Sequence, residues 1–236
     1  MEKNTATTGS ASAPPTADDG TSQPGGQLNL PAKAFTQASA EPDSAFFASH
    51  DPAQLLDLGA RTAITALYRT SMPCGGNTLD LMCGADSHLP EDASFQRFSG
   101  LDACPELLKR NQALDEGFTQ DLNTNWKLPF DDDSQDGVLL CNGLPYLTKP
   151  VEVMEEVQRV LKPGAPFIVT FTDRFFPQKA VAIWQALEPA GRVALTKGAM
   201  AQAGLVDIDK GEVNPPEDLP GWQDRVHAII GRAPRC

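Results

Sequence analysis

Residues 136–171, DGVLLCNGLPYLTKPVEVMEEVQRVLKPGAPFIVTF, hold the pattern from which the fold follows. Asp136 to Cys141 is a short apolar run ending at a polar turn, and residues 150–161 then set Val153, Met154, Val157, Val160 and Leu161 on one face at helical spacing. Lys162, Pro163 and Gly164 break that helix. Phe167 to Phe171 is almost wholly apolar, as a strand covered on both faces must be. A strand, a helix and a second strand in this order make a parallel pair joined by a right-handed crossover.

The same alternation extends in both directions. Toward the N-terminus, Phe118 to Leu122 reads as a strand, and CPELLKRNQAL as a helix opened by Pro105 behind a strand that ends at Asp102. Thr78 to Cys83 reads as a buried strand that turns at Gly84, and residues 51–70 as a helix behind the cap Asp51 and Pro52. Toward the C-terminus, residues 176–187 and 192–203 read as helices. Leu205 to Val213 and Arg225 to Ile230 read as two closing strands joined by a Pro-rich loop.

Composition bounds the rest. The chain has 236 residues, 41% of them hydrophobic, which suffices for one substantial core. Residues 1–44 are dominated by Ala, Ser, Thr, Pro, Gly and Gln and read as a disordered low-complexity tail, leaving 45–236 as the domain. The 31 acidic against 19 basic side chains give net charge −12, with no Lys and Arg cluster to displace counterions from a phosphate backbone. No nucleic acid is expected as a partner. No apolar stretch reaches bilayer length and no signal peptide is evident, so the expectation is a soluble cytoplasmic protein that meets no membrane. Plastid targeting is the alternative, against which Glu2, Asp18, Asp19 and the absence of Arg before Arg61 count. The 5 cysteines are scattered without CxxC spacing, and the 3 histidines have no ligand-like spacing, so neither disulfides nor a metal site is expected.

In an open parallel sheet, ligands bind beyond the carboxyl ends of the strands. That directs attention to Asp80 and Gly84, to Asp102, which stands 22 residues after Asp80, and to Asp121. A carboxylate at position 102 suits both vicinal hydroxyls of a ribose, and Asp121 suits an adenine amino group. Helix capping is the other reading of Asp102. The absence of GxGxxG argues against a dinucleotide and so against an NAD-linked reductase.

TLDLMCGADSHL, GLDACPELLKRN, QDLNTNWKLPFDDDSQDGVLL and EEVQRVLKPGAPFIVTF, in this order, resemble successive motifs of class I S-adenosylmethionine-dependent methyltransferases of the type 11 domain group, over about residues 55–232. QDLN with KLPF, YLTKPVEV and RFFPQKAVAIW also resembles a plant and cyanobacterial subgroup whose glycine loop is degenerate and ends in S-H-x-P. The resemblance implies a Rossmann-like, seven-stranded, mostly parallel sheet with helices on both faces and an antiparallel last strand. It also implies S-adenosylmethionine as cofactor and a small-molecule methyl acceptor. By position, Asp80, Cys83, Gly84 and Ala85 would flank the methionine part, Asp102 and Ala103 the ribose, and Asp121 and Leu122 the adenine. Cys141, Asn142 and Gly143 would stand near the transferred methyl. Where the family usually reads D-x-G-x-G-x-G, this chain has Asp80, Met82, Gly84 and Asp86, which puts bulk and charge where backbone and cofactor approach closely.

Further residues carry two readings each. His88 is a general base if it faces the pocket, or a residue in the first turn of a helix. Tyr146 lines the acceptor side or packs under Pro145. Arg174 holds an anionic acceptor or a surface ion pair. Cys83 and Cys141 read as small buried hydrophobes without a histidine partner, and DDDSQD at 131–136 as a solvated loop. Two functions follow: methyl transfer from S-adenosylmethionine to a small molecule, or a catalytically inactive methyltransferase-like binding or scaffold protein.

Overall fold

The computed structural model describes Met1, Pro31 and residues 33–219 and 221–235. Most of the expected tail lies outside the described residues. Within residues 33–44, Ala34 and Asp43 are buried, and the carbonyls of Ala34 and Thr36 accept from the N–H groups of Ile183 and Ala182.

The elements in chain order are α1 (Asp43–Ser49), α2 (Leu58–Ser71), β1 (Asn77–Leu81), β2 (Arg97–Asp102), α3 (Pro105–Arg110), β3 (Glu116–Thr119), β4 (Gly137–Cys141), α4 (Pro150–Val160), β5 (Pro166–Thr172), α5 (Ala182–Ala186), α6 (Pro189–Gln202), β6 (Val206–Val213) and β7 (Val226–Arg232). The sheet order is β3-β2-β1-β4-β5-β7-β6. β3, β2, β1, β4 and β5 pair in parallel, whereas β7 runs antiparallel to both β5 and β6. This is the Rossmann-like sheet with an antiparallel last strand that the motifs imply.

Side chains alternate between two covered faces, as the period of two requires. Val138, Leu140, Phe167, Val169 and Phe171 face one core with α4 and α6, while Leu139 and Ile168 face another with Ala60, Ile64 and Tyr68 of α2. All seven residues of β5 are buried. Burying one such large apolar side chain is worth roughly 1.5–3 kcal/mol, so β4 and β5 anchor the sheet.

Three expectations shift. The helix over 51–70 divides into a 3-10 turn, Pro52–Leu55, and α2, because the Asp57 carboxylate accepts from Ala60 N–H at 2.8 Å and starts the helix afresh. Residues 176–187 contain only the short α5, since Val181 is extended. No helix follows β1: residues 82–96 form a loop in which Met82 and His88 take φ of 51° and 53°. His88 is therefore not in a helical first turn.

Candidate active site

The loops after β1, β2, β3 and β4 meet at one end of the sheet. Asp102, at the end of β2, is buried; its Oδ2 accepts from Gly84 N–H at 3.0 Å and its Oδ1 from Cys104 N–H at 2.8 Å. The carboxylate thus ties the β1 loop to the start of α3 without serving as that helix's N-cap, which is Cys104. Each oxygen keeps a further lone pair for a ligand hydroxyl.

Two chambers open here. The larger, about 430 Å³, is lined by Asp102, Ala103, Asp121, Leu122, Asn123 and Gly143, and is closed by Asp43, Phe47, Pro52, Met82 and Tyr146 among others. The smaller, about 270 Å³, is lined by Cys83, Gly84, Asp86, His88, Cys141 and Asn142 with Ala53, Leu56, Pro52 and Met82. Pro52 and Met82 belong to both. They form the partition between two halves of one crevice.

Met82 holds this place through its backbone. Its φ of 51° lies in the left-handed region, next to Gly84 at 58°, so the loop keeps a glycine-like path with a long side chain on it. Gly143 accommodates that side chain: a Cβ there would stand 3.0 Å from Met82 Sδ and 2.5 Å from Leu140 Cδ1. Asp86 does not enter the partition. Its carboxylate accepts from His88 N–H at 2.9 Å, pairs with His88 Nδ1 at 3.2 Å and lies 3.9 Å from Arg61.

The electrostatics are uneven. Asp80 is buried inside β1, and burial pushes its carboxyl up to about 7 against the pull of Ser87 and His88. Burial likewise raises Asp102 to about 6, opposed by the N–H groups of Cys104 and Gly84 and helped by Asp51 and Asp43. His88 goes the other way: burial disfavours its charged form, but hydrogen bonding to Asp86 and the neighbouring Cys141 prevail and carry it up to about 10. Its partner Asp86 is held down at about 2, chiefly by that bond. At neutral pH His88 is a cation, a proton donor rather than a general base.

Asp102, Ala103, Asp121, Leu122 and Gly143 line the larger chamber and Cys83, Gly84, Cys141 and Asn142 the smaller, while Asp80 is buried within β1 and Ala85 packs against the cluster that holds Phe46, Phe47, Cys104 and Tyr146. Cys141 has the histidine partner that sequence spacing concealed, because His88 folds back onto it from the β1 loop. Burial raises the Cys83 thiol well up, in keeping with a small buried hydrophobe. Tyr146 both lines the larger chamber and packs, its hydroxyl accepting from Phe176 N–H at 3.1 Å. Arg174 is spent on Asp224 at 2.6 Å.

Two groups escaped sequence reasoning. Asn123 joins three loops: its amide donates to Asp43 Oδ2 at 2.8 Å and Tyr146 O at 2.9 Å, and its oxygen accepts from Thr148 N–H at 2.7 Å. The segment around α1 supplies Asp43, Phe47 and Pro52 to the crevice, anchored by a buried ion pair of Asp43 with Lys179, whose ammonium also donates to Glu41 O at 2.7 Å. Phe46 and Phe47 were the sequence signal for a packed element there.

Residues 79–169 match the family model described as a methyltransferase domain, of type 11. The match begins in β1 and ends in β5, and so includes the loops after β1, β2, β3 and β4 but not the α1 segment that also lines the chambers. No curated protein matches the chain in sequence. Among solved structures, a chain of the complex between the Haloferax volcanii Trm112 methyltransferase activator and a methyltransferase is similar at 23% identity and TM-score 0.56, over 74% of this chain and 90% of that one. A SAM-dependent methyltransferase from Aquifex aeolicus is similar at 17% identity and TM-score 0.54, over 81% and 98%. The [4+2]-cyclase SpnF is similar at 16% identity and TM-score 0.57, over 75% and 83%. These likenesses show the fold alone, the Rossmann-like fold that these methyltransferases share. The cyclase among them shows that the fold by itself does not dictate the reaction.

Proposed function

We propose that the protein binds S-adenosylmethionine across the two chambers and transfers its methyl to a small-molecule acceptor. The reading rests on Asp102, a buried carboxylate fixed between two backbone N–H groups on the wall of the larger chamber, with lone pairs left for a ribose. Asp121 and Leu122 would take the adenine, and Cys83, Gly84 and Asn142 the methionine part. A separate observation fits that cofactor: Asn142 Nδ2 is buried without a hydrogen-bond partner, and Asn142 lines the smaller chamber. An unmade bond of this kind costs about 1–3 kcal/mol, and a ligand carboxylate would satisfy it. Within this reading the chain belongs to the plant and cyanobacterial subgroup, on Ser87-His88-Leu89-Pro90 after a loop with one glycine, and acts in the cytoplasm.

When bound, the cofactor supplies a methyl already activated by its sulfonium. The chain's own residues then have three tasks. Asp102 and Asn142 orient, the α1 segment with Phe47 and Tyr146 excludes water, and the carboxylates of Asp80, Asp102 and Asp121 offset positive charge. Alignment of this kind is worth about 7–11 kcal/mol in favourable cases, so no dedicated nucleophile is needed. His88, being cationic, is suited to holding an anionic acceptor group.

The Met82 partition favours a second reading, a binding protein that takes a nucleoside in the larger chamber alone. Calorimetric titration with S-adenosylmethionine, S-adenosylhomocysteine and adenosine separates the two. Transferase function predicts binding of the first two, lost in Asp102→Ala, and labelled-methyl transfer into a metabolite extract. Binding of adenosine alone supports the second reading, and no binding of any at millimolar ligand removes both.

A further inference from the structure

We infer that Asn111, which lines neither chamber, is a positioning residue for the smaller one: it holds the loop after β1 at Gly84 and, through Ser87, the buried Asp80. The inference rests on the methyl-donor reading only for the ligand that it names.

Residues 82–96 carry a single glycine and form no helix, so their backbone groups depend on partners from elsewhere. Gly84 finds both of its partners on buried side chains beyond the loop. Its N–H donates to Asp102 Oδ2 at 3.0 Å, and its carbonyl accepts from Asn111 Nδ2 at 3.3 Å. The same amide donates to Ser87 Oγ at 2.9 Å, which uses both of its hydrogens.

The end of α3 fixes this donor. The helix stops at Arg110, and Asn111 N–H turns back to Leu107 O at 3.1 Å and Leu108 O at 3.2 Å. Its side-chain oxygen accepts from Ala113 N–H at 3.2 Å, the local bond that suits asparagine to a helix end. With the oxygen engaged there, the amide nitrogen is left for the loop. Ser87, accepting from Asn111, has its own hydrogen for the Asp80 carboxylate. Burial pushes the Asp80 carboxyl up, and the Ser87 bond opposes that push.

A chain of three buried side chains therefore runs from the end of α3 to β1. It passes through the loop whose Cys83, Gly84, Asp86 and His88 wall the smaller chamber. The other titratable groups facing Asp80 are His88, Asp86 and Cys83 of that loop, Asp102 of β2 and Tyr68 of α2. A cationic ligand in the chamber binds best when Asp80 is ionised, the form that Ser87 favours. A neutral nucleoside in the larger chamber is indifferent to it.

The test begins with the ligand-free full chain. Infrared titration of the buried carboxyl stretch, assigned by its loss in Asp80→Asn, should place the midpoint about one pH higher in Ser87→Ala and Asn111→Leu, the worth of one hydrogen bond. Ser87→Thr, which keeps the hydroxyl, should restore the parent midpoint. Calorimetry then reads the chamber. S-adenosylmethionine should bind Ser87→Ala about fivefold more weakly than the parent at about pH 7 and nearly alike at about pH 9, since the ionised fraction of Asp80 sets the difference. Adenosine should bind Ser87→Ala and the parent alike at both. Asn111→Leu, which also frees Gly84, should stay weaker for S-adenosylmethionine at both. A midpoint unmoved in Ser87→Ala overturns the role given to Asp80, and a loss of S-adenosylmethionine affinity that is the same at both pH values reduces Ser87 to a structural part and overturns it too. Parent-like affinity in Asn111→Leu overturns the positioning role; should that variant not fold, Ser87→Ala decides alone. The infrared titration needs no ligand, so a parent chain that binds no S-adenosylmethionine removes the methyl-donor reading while the midpoints still judge the chain from Asn111 to Asp80.

Discussion

Met82→Gly is the substitution on which the crevice can be judged. In the parent, Met82 lines both chambers with a left-handed φ of 51°, and its Sδ lies against Gly143. A side chain in that backbone region costs about 1–2 kcal/mol, which glycine recovers. Against this, glycine loses about 0.5–1 kcal/mol to unfolded-chain entropy. The half-buried thioether forfeits on the order of 1 kcal/mol of packing. Stability should therefore change by no more than about 1 kcal/mol in either direction, a few degrees of Tm. Binding should change more. A ligand spanning both chambers must displace Met82 in the parent at a cost of roughly 1 kcal/mol in lost contact, whereas the glycine variant offers a continuous crevice. S-adenosylmethionine should then bind about five- to tenfold more tightly by calorimetry. Adenosine, confined to the larger chamber, should gain little. Equal or weaker S-adenosylmethionine binding by a variant whose melting is preserved would refute the partition.

Four other outcomes follow from the same geometry. Asp80 and Asp102 have folded-state values raised to about 7 and about 6, so their contribution to stability is full below pH 4 and is lost as pH rises through those values. Asp80→Asn should thus stabilise the ligand-free protein at pH 8 by a few kcal/mol, on the order of 3, and by little at pH 4, as denaturant titrations would show. Binding of cationic S-adenosylmethionine should release more protons than binding of S-adenosylhomocysteine, because the sulfonium favours the ionised forms of both carboxyls; equal release in paired buffers contradicts this. Lys179→Met should leave Asp43 buried and unpaired, a loss of about 3–5 kcal/mol that appears as early proteolysis near α1, and adding Asp43→Asn should restore protection. Gly143→Ala should lower Tm through the 2.5 Å approach to Leu140, at about 1–3 kcal/mol, and a melting curve like the parent's would contradict the packing.

The sheet was legible because its period is written plainly into the strands. β4 and β5 alternate between two apolar faces and carry no polar exception except Thr170 and Thr172, so run length and punctuation were enough. The strand-end carboxylates were legible for a related reason: position along a parallel strand fixes which end a residue occupies. What the sequence hid were the long-range pairings. His88 reaches Cys141, Asn123 ties Asp43 to Tyr146, and Lys179 neutralises Asp43, all across many residues and through irregular loops. No periodicity marks such contacts. The missing helix after β1 has a local cause that is visible only afterwards, since Met82 and His88 adopt left-handed backbone that propensity assigns to glycine.

The left-handed non-glycine backbone among the described residues is not spread evenly, and its distribution bears on function. Of the five non-glycine residues with positive φ among the described residues, Met82, His88 and Asn142 sit in the β1 and β4 loops that wall the crevice, whereas Asp133 occupies a turn before β4 and Asp207 the register irregularity in β6. The same wall holds the unpartnered Asn142 Nδ2, and beside it stand two carboxyls that burial makes reluctant to ionise. Each costs free energy in the absence of a ligand, about 1–3 kcal/mol for a strained backbone or an unmade buried bond. A crevice that served only to close the end of the sheet would relax by substituting glycine at 82 and neutral side chains at 80 and 102. Keeping the strain makes sense if a bound molecule relieves it. The molecule that relieves all of it at once must offer an acceptor to Asn142, donors to Asp102 and positive charge to the acidic wall, and it must be long enough to pass Met82.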